Sequence, residues 1–258
     1  MTVAQPIHHF SHSSTNDKVL ALVTEGEDFR HRRILDVGAG EGFFCQEMAA
    51  LARARGVAPG EILRACDRFP EQFRVPDVSC DPIEEGGGLP YDADRFDTTV
   101  AIEVVEHVED QFSFIRELYR VTRPGGRVFV TTPNLLNVNS RLRYLHSGFW
   151  LLFDPLPLSS VQIIHLEGHV HPVTYYYLAY IFHRAGFAAV RVHFDRRKRS
   201  GVALAAVLAP FIVLGNLLFR ARLRGKAPER YAENRALLAD TNGWDMLTSR
   251  SIIVEGIK

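Results

Sequence analysis

RRILDVGAGEGFFCQEMAALARARG, residues 32–56, is the stretch whose reading decides the fold. Its first part, RRILDVGAG (32–40), is a short β-branched and apolar run ending in glycines, which predicts a buried strand followed by a tight turn. Its second part, GFFCQEMAALARARG (42–56), carries apolar residues at helical spacing and closes on Gly56, a C-cap residue. Between the two lies Asp36-Val37-Gly38-Ala39-Gly40-Glu41-Gly42. Glycine accepts positive φ and has no Cβ, so the backbone here can press against a ligand where strand becomes helix. The first amides of that helix then face the same ligand.

Downstream, the pattern repeats. EILRACD (61–67) reads as a second strand, DVSCD (77–81) as a third and FDTTVAIEV (96–104) as a fourth. DQFSFIRELYRVTRPGG (110–126) is amphipathic and predicts a helix stopped by Pro124-Gly125-Gly126, with RVFVTTPN (127–134) as the fifth strand. VTYYYLAYIFHRAGF (173–187) is helical, AAVRVHF (188–194) is a sixth strand, and SIIVEGIK (251–258) closes the chain as a seventh. Strands separated by helical crossovers predict a doubly wound, Rossmann-like α/β sheet, mostly parallel with a final antiparallel strand. The expected organisation is one domain over 1–258. It comprises an N-terminal segment (1–30), an aromatic-rich cap on the acceptor side (135–172) and a helical apolar and basic insertion (196–247).

A glycine-rich turn alone is weak evidence, because dinucleotide-binding folds place G-x-G-x-x-G there. Here the spacing is G-x-G-x-G, an aspartate precedes it, and no phosphate-binding lysine follows. This arrangement resembles motif I of the class I S-adenosylmethionine-dependent methyltransferases. The likeness continues through LPYDADRFDTTVAIEVVEHVED (89–110) and LYRVTRPGGRVFVTTPN (118–134), in the family's order, over roughly residues 30–195. The resemblance implies S-adenosylmethionine as cofactor, held by Asp36, Gly38, Ala39, Gly40, Gly42, Asp67, Asp81 and Glu103. By the family's pattern, Asp67 would bind the ribose hydroxyls and Asp81 the adenine amino group. The cofactor carries the electrophilic methyl, so the protein's task is to orient an in-line displacement and prepare the nucleophile.

The acceptor side turns on Glu103-Val104-Val105-Glu106-His107. Two carboxylates three residues apart with an adjacent imidazole could bind a divalent ion, Mg²⁺ or Zn²⁺. That ion would acidify and orient an acceptor hydroxyl. The string is similar to the Glu-x-x-Glu-His motif of the ubiquinone-biosynthesis O-methyltransferases, the nearest group in the resemblance. A further histidine is implied downstream, and GHVHP (168–172) offers His169 or His171 without choosing between them. The alternative is that the carboxylates cap a helix. His107, assisted by Glu106, would then be the general base, since imidazole titrates near neutrality. His146 and His165 read as structural or surface residues, and Tyr175, Tyr176 and Tyr177 as core or pocket lining.

Composition narrows the partners. Thirty basic side chains balance thirty acidic ones, so no overall field recruits nucleic acid. The three cysteines, Cys45, Cys66 and Cys80, have no paired spacing, which predicts free thiols in a reduced compartment. Residues 1–18 hold no apolar core of signal-peptide length, so a cytoplasmic location is expected. His8, His9 and His12 are a metal-capable trio in what reads as a frayed terminus.

The insertion is the anomaly. VALAAVLAPFIVLGNLLF (202–219) has no charge, is preceded by Arg196-Arg197-Lys198-Arg199 and is followed by Arg220, Arg222, Arg224 and Lys226. It passes the length threshold for a membrane span, yet strands on both sides of it must join one sheet. Pro210 is expected to break it into two short halves. A re-entrant pair or an interfacial helix with basic flanks (196–226) on the inner membrane face fits, as does a soluble cap or dimer contact. The expected function is O-methylation of a hydrophobic or lipid-linked small molecule. The alternatives are a soluble sugar or natural product as acceptor, a non-catalytic cofactor-binding scaffold, and a dinucleotide-dependent dehydrogenase.

Overall fold

The computed structural model describes residues 7, 13–25, 28–84, 86–158, 168–197 and 199–258. Seven strands form one sheet: β1 (Ile34–Val37), β2 (Leu63–Asp67), β3 (Cys80–Pro82), β4 (Phe96–Ile102), β5 (Thr122–Pro133), β6 (Ala189–Phe194) and β7 (Ser251–Ile257). Their order is β3-β2-β1-β4-β5-β7-β6. The pairs β1/β2, β1/β4, β2/β3 and β4/β5 are parallel, whereas β7 runs antiparallel to both β5 and β6. The strand order reverses between β1 and β4, which opens a crevice beyond their carboxyl ends. This is the Rossmann-like sheet expected from the alternation of strand and helix patterns.

Period-2 alternation assigns each strand residue to a face. Leu35 and Val37 of β1, with Val128 and Val130 of β5 and Ile252 and Val254 of β7, join a core completed by α4 (Gln111–Val121) and α6 (Tyr175–Ala185). Ile34, Val100, Phe129 and Ile253 point the other way, into a second core with α1 (Ser13–Thr24) and α2 (Phe43–Ala54). Both faces are therefore covered, and α1 seals one of them through Val19, Leu22 and Val23. The remaining helices are α3 (Pro59–Ile62), α5 (Val138–Ser147), α7 (Arg199–Lys226), α8 (Pro228–Glu233), α9 (Arg235–Asp240) and α10 (Trp244–Thr248).

Two local expectations give way. The helix does not run on to Pro124-Gly125-Gly126: α4 stops at Val121 and β5 starts at Thr122. The Thr122 hydroxyl donates to the Leu118 carbonyl at 2.7 Å, ending the helix, and Thr122 pairs with Phe96 while Arg127 pairs with Thr98. The intervening proline and glycines form an irregularity within the strand, where Gly125 takes φ +75° and donates to the Lys258 carbonyl. Pro210 likewise does not break α7, which is continuous over 28 residues. Proline removes one hydrogen bond, at a cost of about 3 kcal/mol, while the Ala- and Leu-rich turns before it and the leucine-containing apolar run after it carry the helix through. The re-entrant pair is thereby replaced by one helix.

Candidate functional site

The carboxyl ends of β1, β2, β3 and β4 lie side by side in register, and the sequence-predicted cofactor residues gather there. Val37 pairs with Cys66, and Cys66 with Asp81. The turn after β1 holds Gly38, Gly40 and Gly42 at φ +73°, +54° and +96°. Gly38 N–H and Ala39 N–H both donate to the Cys66 carbonyl, which ties the turn to β2. A Cβ on Gly38 would stand 2.5 Å from Val104 Cγ2, and one on Gly42 would stand 2.5 Å from Val75 Cγ2. These glycines are thus required by the loop's own packing, before any ligand is considered.

Asp67 closes the arrangement. Its Oδ2 accepts from Gly40 N–H and its Oδ1 from Phe69 N–H, each at 2.8 Å, so one carboxylate fixes both the glycine turn and the chain after β2. Asp81 Oδ2 accepts from the Tyr91 hydroxyl at 2.8 Å. Asp36 is buried, and the Cys45 thiol donates to its Oδ2 at 3.4 Å. Burial pushes its pKa up to about 7, against the pull of that thiol. All three cysteines are free, and burial raises their thiols.

Glu103 follows β4 with φ +55°, a left-handed conformation unusual for a side-chain-bearing residue. The Thr131 hydroxyl donates to Glu103 Oε1 at 3.2 Å, and the hydroxyl oxygen accepts from Glu103 N–H at 2.9 Å. Burial raises its pKa to about 7, while Thr131, Arg250 and Ser251 pull it down. Glu103 was expected among the metal ligands. The structure instead commits it to this neighbourhood of Thr131, Arg250 and Ser251, which lie far from it in sequence and carry no motif that could have announced them.

The group that does converge is Glu106, His107 and His169, whose donor atoms all lie within 4.8 Å of one another. A short 3₁₀ turn, Val105–His107, presents the first two. Glu106 is fully buried; neither carboxylate oxygen makes a hydrogen bond of good geometry among the described residues, and Thr132 lies near enough to pull its pKa down in part. Burial and the neighbouring Glu103 drive its pKa well above the ordinary carboxylate range. His107 Nδ1 lies 2.8 Å from the Gly168 carbonyl, and His169 Nδ1 lies 2.7 Å from the Leu152 carbonyl. A carbonyl can only accept, so both rings carry their proton on Nδ1 and leave Nε2 as a lone pair. Burial lowers the pKa of both, which keeps them neutral near pH 7.

Of the two histidines in GHVHP, His169 is the one that lies with Glu106 and His107. His171 Nδ1 is engaged with the Val108 carbonyl at 3.0 Å and stands outside the cluster. The Phe153 ring leans on His169 with centroids 4.9 Å apart, and Phe149 and Leu152 of the same loop are exposed. The tyrosine run does not reach this site. Tyr175 is buried with its hydroxyl on Asp240, Tyr176 donates to Asn234, and Tyr177 is exposed. His146 lies exposed on α5. His8, His9, His12 and His165 fall outside the described residues.

Comparison with known proteins agrees with the fold. A family model described as a methyltransferase domain matches residues 7–192. The ubiquinone biosynthesis O-methyltransferase of Pseudomonas entomophila is 30% identical over 131 residues, covering 50% of this chain and 54% of that protein. The enzyme of the same name from a Methylobacterium strain is 38% identical over 104 residues, covering 39% of this chain and 41% of that protein. The chain thus spans about half the length of the curated relatives it matches. A methyltransferase structure from Archaeoglobus fulgidus superposes with a TM-score of 0.53 over 94% of each chain at 14% identity, a likeness of fold. The chain belongs to the class I S-adenosylmethionine-dependent methyltransferases.

Proposed function

We propose that this methyltransferase transfers the methyl group to an oxygen atom of a hydrophobic or lipid-linked small molecule. The observation that carries this reading is the pair of neutral imidazoles, His107 and His169, held in the tautomer that offers Nε2 beside a buried Glu106. An alcohol or phenol needs its proton removed as the methyl arrives, and a neutral imidazole with a free lone pair suits that task. The similar proteins' printed name, ubiquinone biosynthesis O-methyltransferase, favours oxygen as the accepting atom. The exposed Leu152, whose carbonyl meets His169, and the exposed Phe149 of the same loop favour an apolar acceptor.

In this reading, the glycine turn, Asp67 and Asp81 hold S-adenosylmethionine at the carboxyl edge of the sheet, while Asp36, buried on β1, ties the strand to α2 through Cys45. His107 Nε2 accepts the hydroxyl proton and Phe153 fixes the ring of His169. Alternatively, Glu106, His107 and His169 fit a divalent ion, which would occupy the Nε2 lone pair in place of the proton; each imidazole is oriented by a carbonyl on its other nitrogen. Two imidazoles and one carboxylate suit Zn²⁺ better than Mg²⁺, which prefers oxygen. A bound ion would supply Lewis acidity toward the acceptor hydroxyl. A cytoplasmic location is part of the proposal. The test is transfer of labelled methyl to phenolic and lipid-linked acceptors in detergent, with and without chelator. Transfer to nitrogen or to polar sugars alone would defeat it.

A further inference from the structure

α7 departs from everything else in the fold. Among the described residues it is the one helix long and apolar enough to cross a membrane, and almost none of its apolar stretch is buried. Val207, Phe211, Val213, Leu214, Leu217, Leu218 and Phe219 are all exposed, Phe211 at 75%. The exposure is one-sided. Gly201 and Ala205 are buried, and Leu208, Ile212, Asn216, Arg220 and Leu223 are partly covered, which marks one stripe at helical spacing turned toward the protein.

Both ends of the apolar run are held by the same domain. At its start Ala205 packs with Val138 of α5 and Leu247 of α10. At its end Arg220 donates to the Tyr231 hydroxyl of α8 at 3.3 Å. Three residues later the Asn234 side chain accepts from Tyr176 of α6 at 3.2 Å. A spanning helix would place residues 202 and 219 on opposite sides of roughly 30 Å of hydrocarbon. One domain holds both ends, so a spanning α7 would require that domain to lie on both faces of the bilayer at once.

We propose that α7 is a membrane-docking helix that lies in the plane of an anionic bilayer, with its outward face sunk into one leaflet. The occupant follows from charge. Residues 196–228 contain eight basic side chains, four on each side of the apolar run, and no acidic one. Arg199, Arg222, Arg224 and Lys226 are exposed. A second copy laid on this face would set basic cluster against basic cluster, whereas anionic headgroups complement both ends at once. α5, the neighbour of α7, runs on into the loop with exposed Phe149 and Leu152, whose Leu152 carbonyl meets His169. Docking therefore sets an apolar route to the candidate acceptor site beside the lipid. The docking itself stands whether or not the acceptor is lipid-linked.

The experiment is flotation of the full-length protein with phosphatidylcholine vesicles and with vesicles containing phosphatidylglycerol, after removal of any detergent. Co-flotation with the anionic vesicles is expected, with release by alkaline carbonate and by about 0.5 M salt. Arg222→Glu with Arg224→Glu should lower partitioning by about tenfold or more. Leu214→Asp with Leu218→Asp should abolish it. Retained S-adenosylhomocysteine binding certifies the fold of each variant, and Phe211→Ser serves if the double aspartate fails that check. Three results would overturn the proposal: a folded wild type that stays with neither vesicle, carbonate-resistant insertion, or a lipid-free dimer that dissociates on Leu214→Asp. Neither flotation nor its variants read methyl transfer, so docking and the O-methylation reading can fail separately.

Discussion

Gly38→Ala offers the sharpest quantitative prediction, because the structure divides its cost into two parts that can be separated. Gly38 adopts φ +73°, and a left-handed backbone costs an alanine about 1–2 kcal/mol. The added Cβ would also stand 2.5 Å from Val104 Cγ2 and 3.2 Å from its Cγ1. Valine is stiff about χ1 and cannot turn both methyls away, so overpacking adds about 1–3 kcal/mol. The expected loss is about 2–5 kcal/mol, measured as a change in urea midpoint at constant slope. Val104→Ala removes the obstructing methyls but leaves the backbone strain. In a double-mutant cycle, Gly38→Ala with Val104→Ala should therefore recover the packing share, with a coupling of about 1–3 kcal/mol. Additivity within about 0.5 kcal/mol would refute the steric argument and leave the backbone conformation as the whole reason for the glycine.

Other expectations follow from the same geometry. Glu255 is buried, which by itself raises its pKa, yet His193 and Arg127 outweigh burial and hold it down at about 2. Its stabilising contribution is complete above the ordinary glutamate range and is lost as pH falls from about 4.5 toward 2, a loss that Glu255→Gln should abolish in acid-unfolding curves. Asp36 behaves oppositely: its folded pKa is raised to about 7, so the cofactor-free protein loses stability as pH rises from about 4 to 7, and Asp36→Asn should flatten that slope. His107→Ala should lower methyl transfer by about 10²–10⁴-fold, and His169→Ala should impair turnover while His171→Ala leaves it near wild type. Asp67→Ala should weaken S-adenosylhomocysteine binding by about tenfold or more, since the glycine turn and the chain after β2 lose their shared acceptor.

The sheet was legible because its signals are local. Each strand is a short apolar run, each crossover is a helical period, and the glycine spacing after β1 marks the switch point. The start of β5 was not legible, because Thr122 joins the sheet through pairing with Phe96, and nothing in TRPGG announces that partner. The candidate site divides along the same line. Residues at strand ends, such as Asp67 and Asp81, could be placed by order along the chain. The environment of Glu103 could not, since Thr131, Arg250 and Ser251 meet it only when β4, β5 and β7 align. His169 and His171 are equivalent in sequence; what separates them is which carbonyl each ring meets, Leu152 or Val108. Pro210 is the opposite case: its local tendency to break a helix is outweighed by a helix that continues for several turns on either side.

Calorimetric titration of the folded protein with S-adenosylhomocysteine, with and without added Zn²⁺, tests the central claim most directly. The account predicts saturable binding at one site per chain, weakened by Asp67→Ala and preserved in His171→Ala. A demonstrably folded sample that shows no binding under either condition would contradict it.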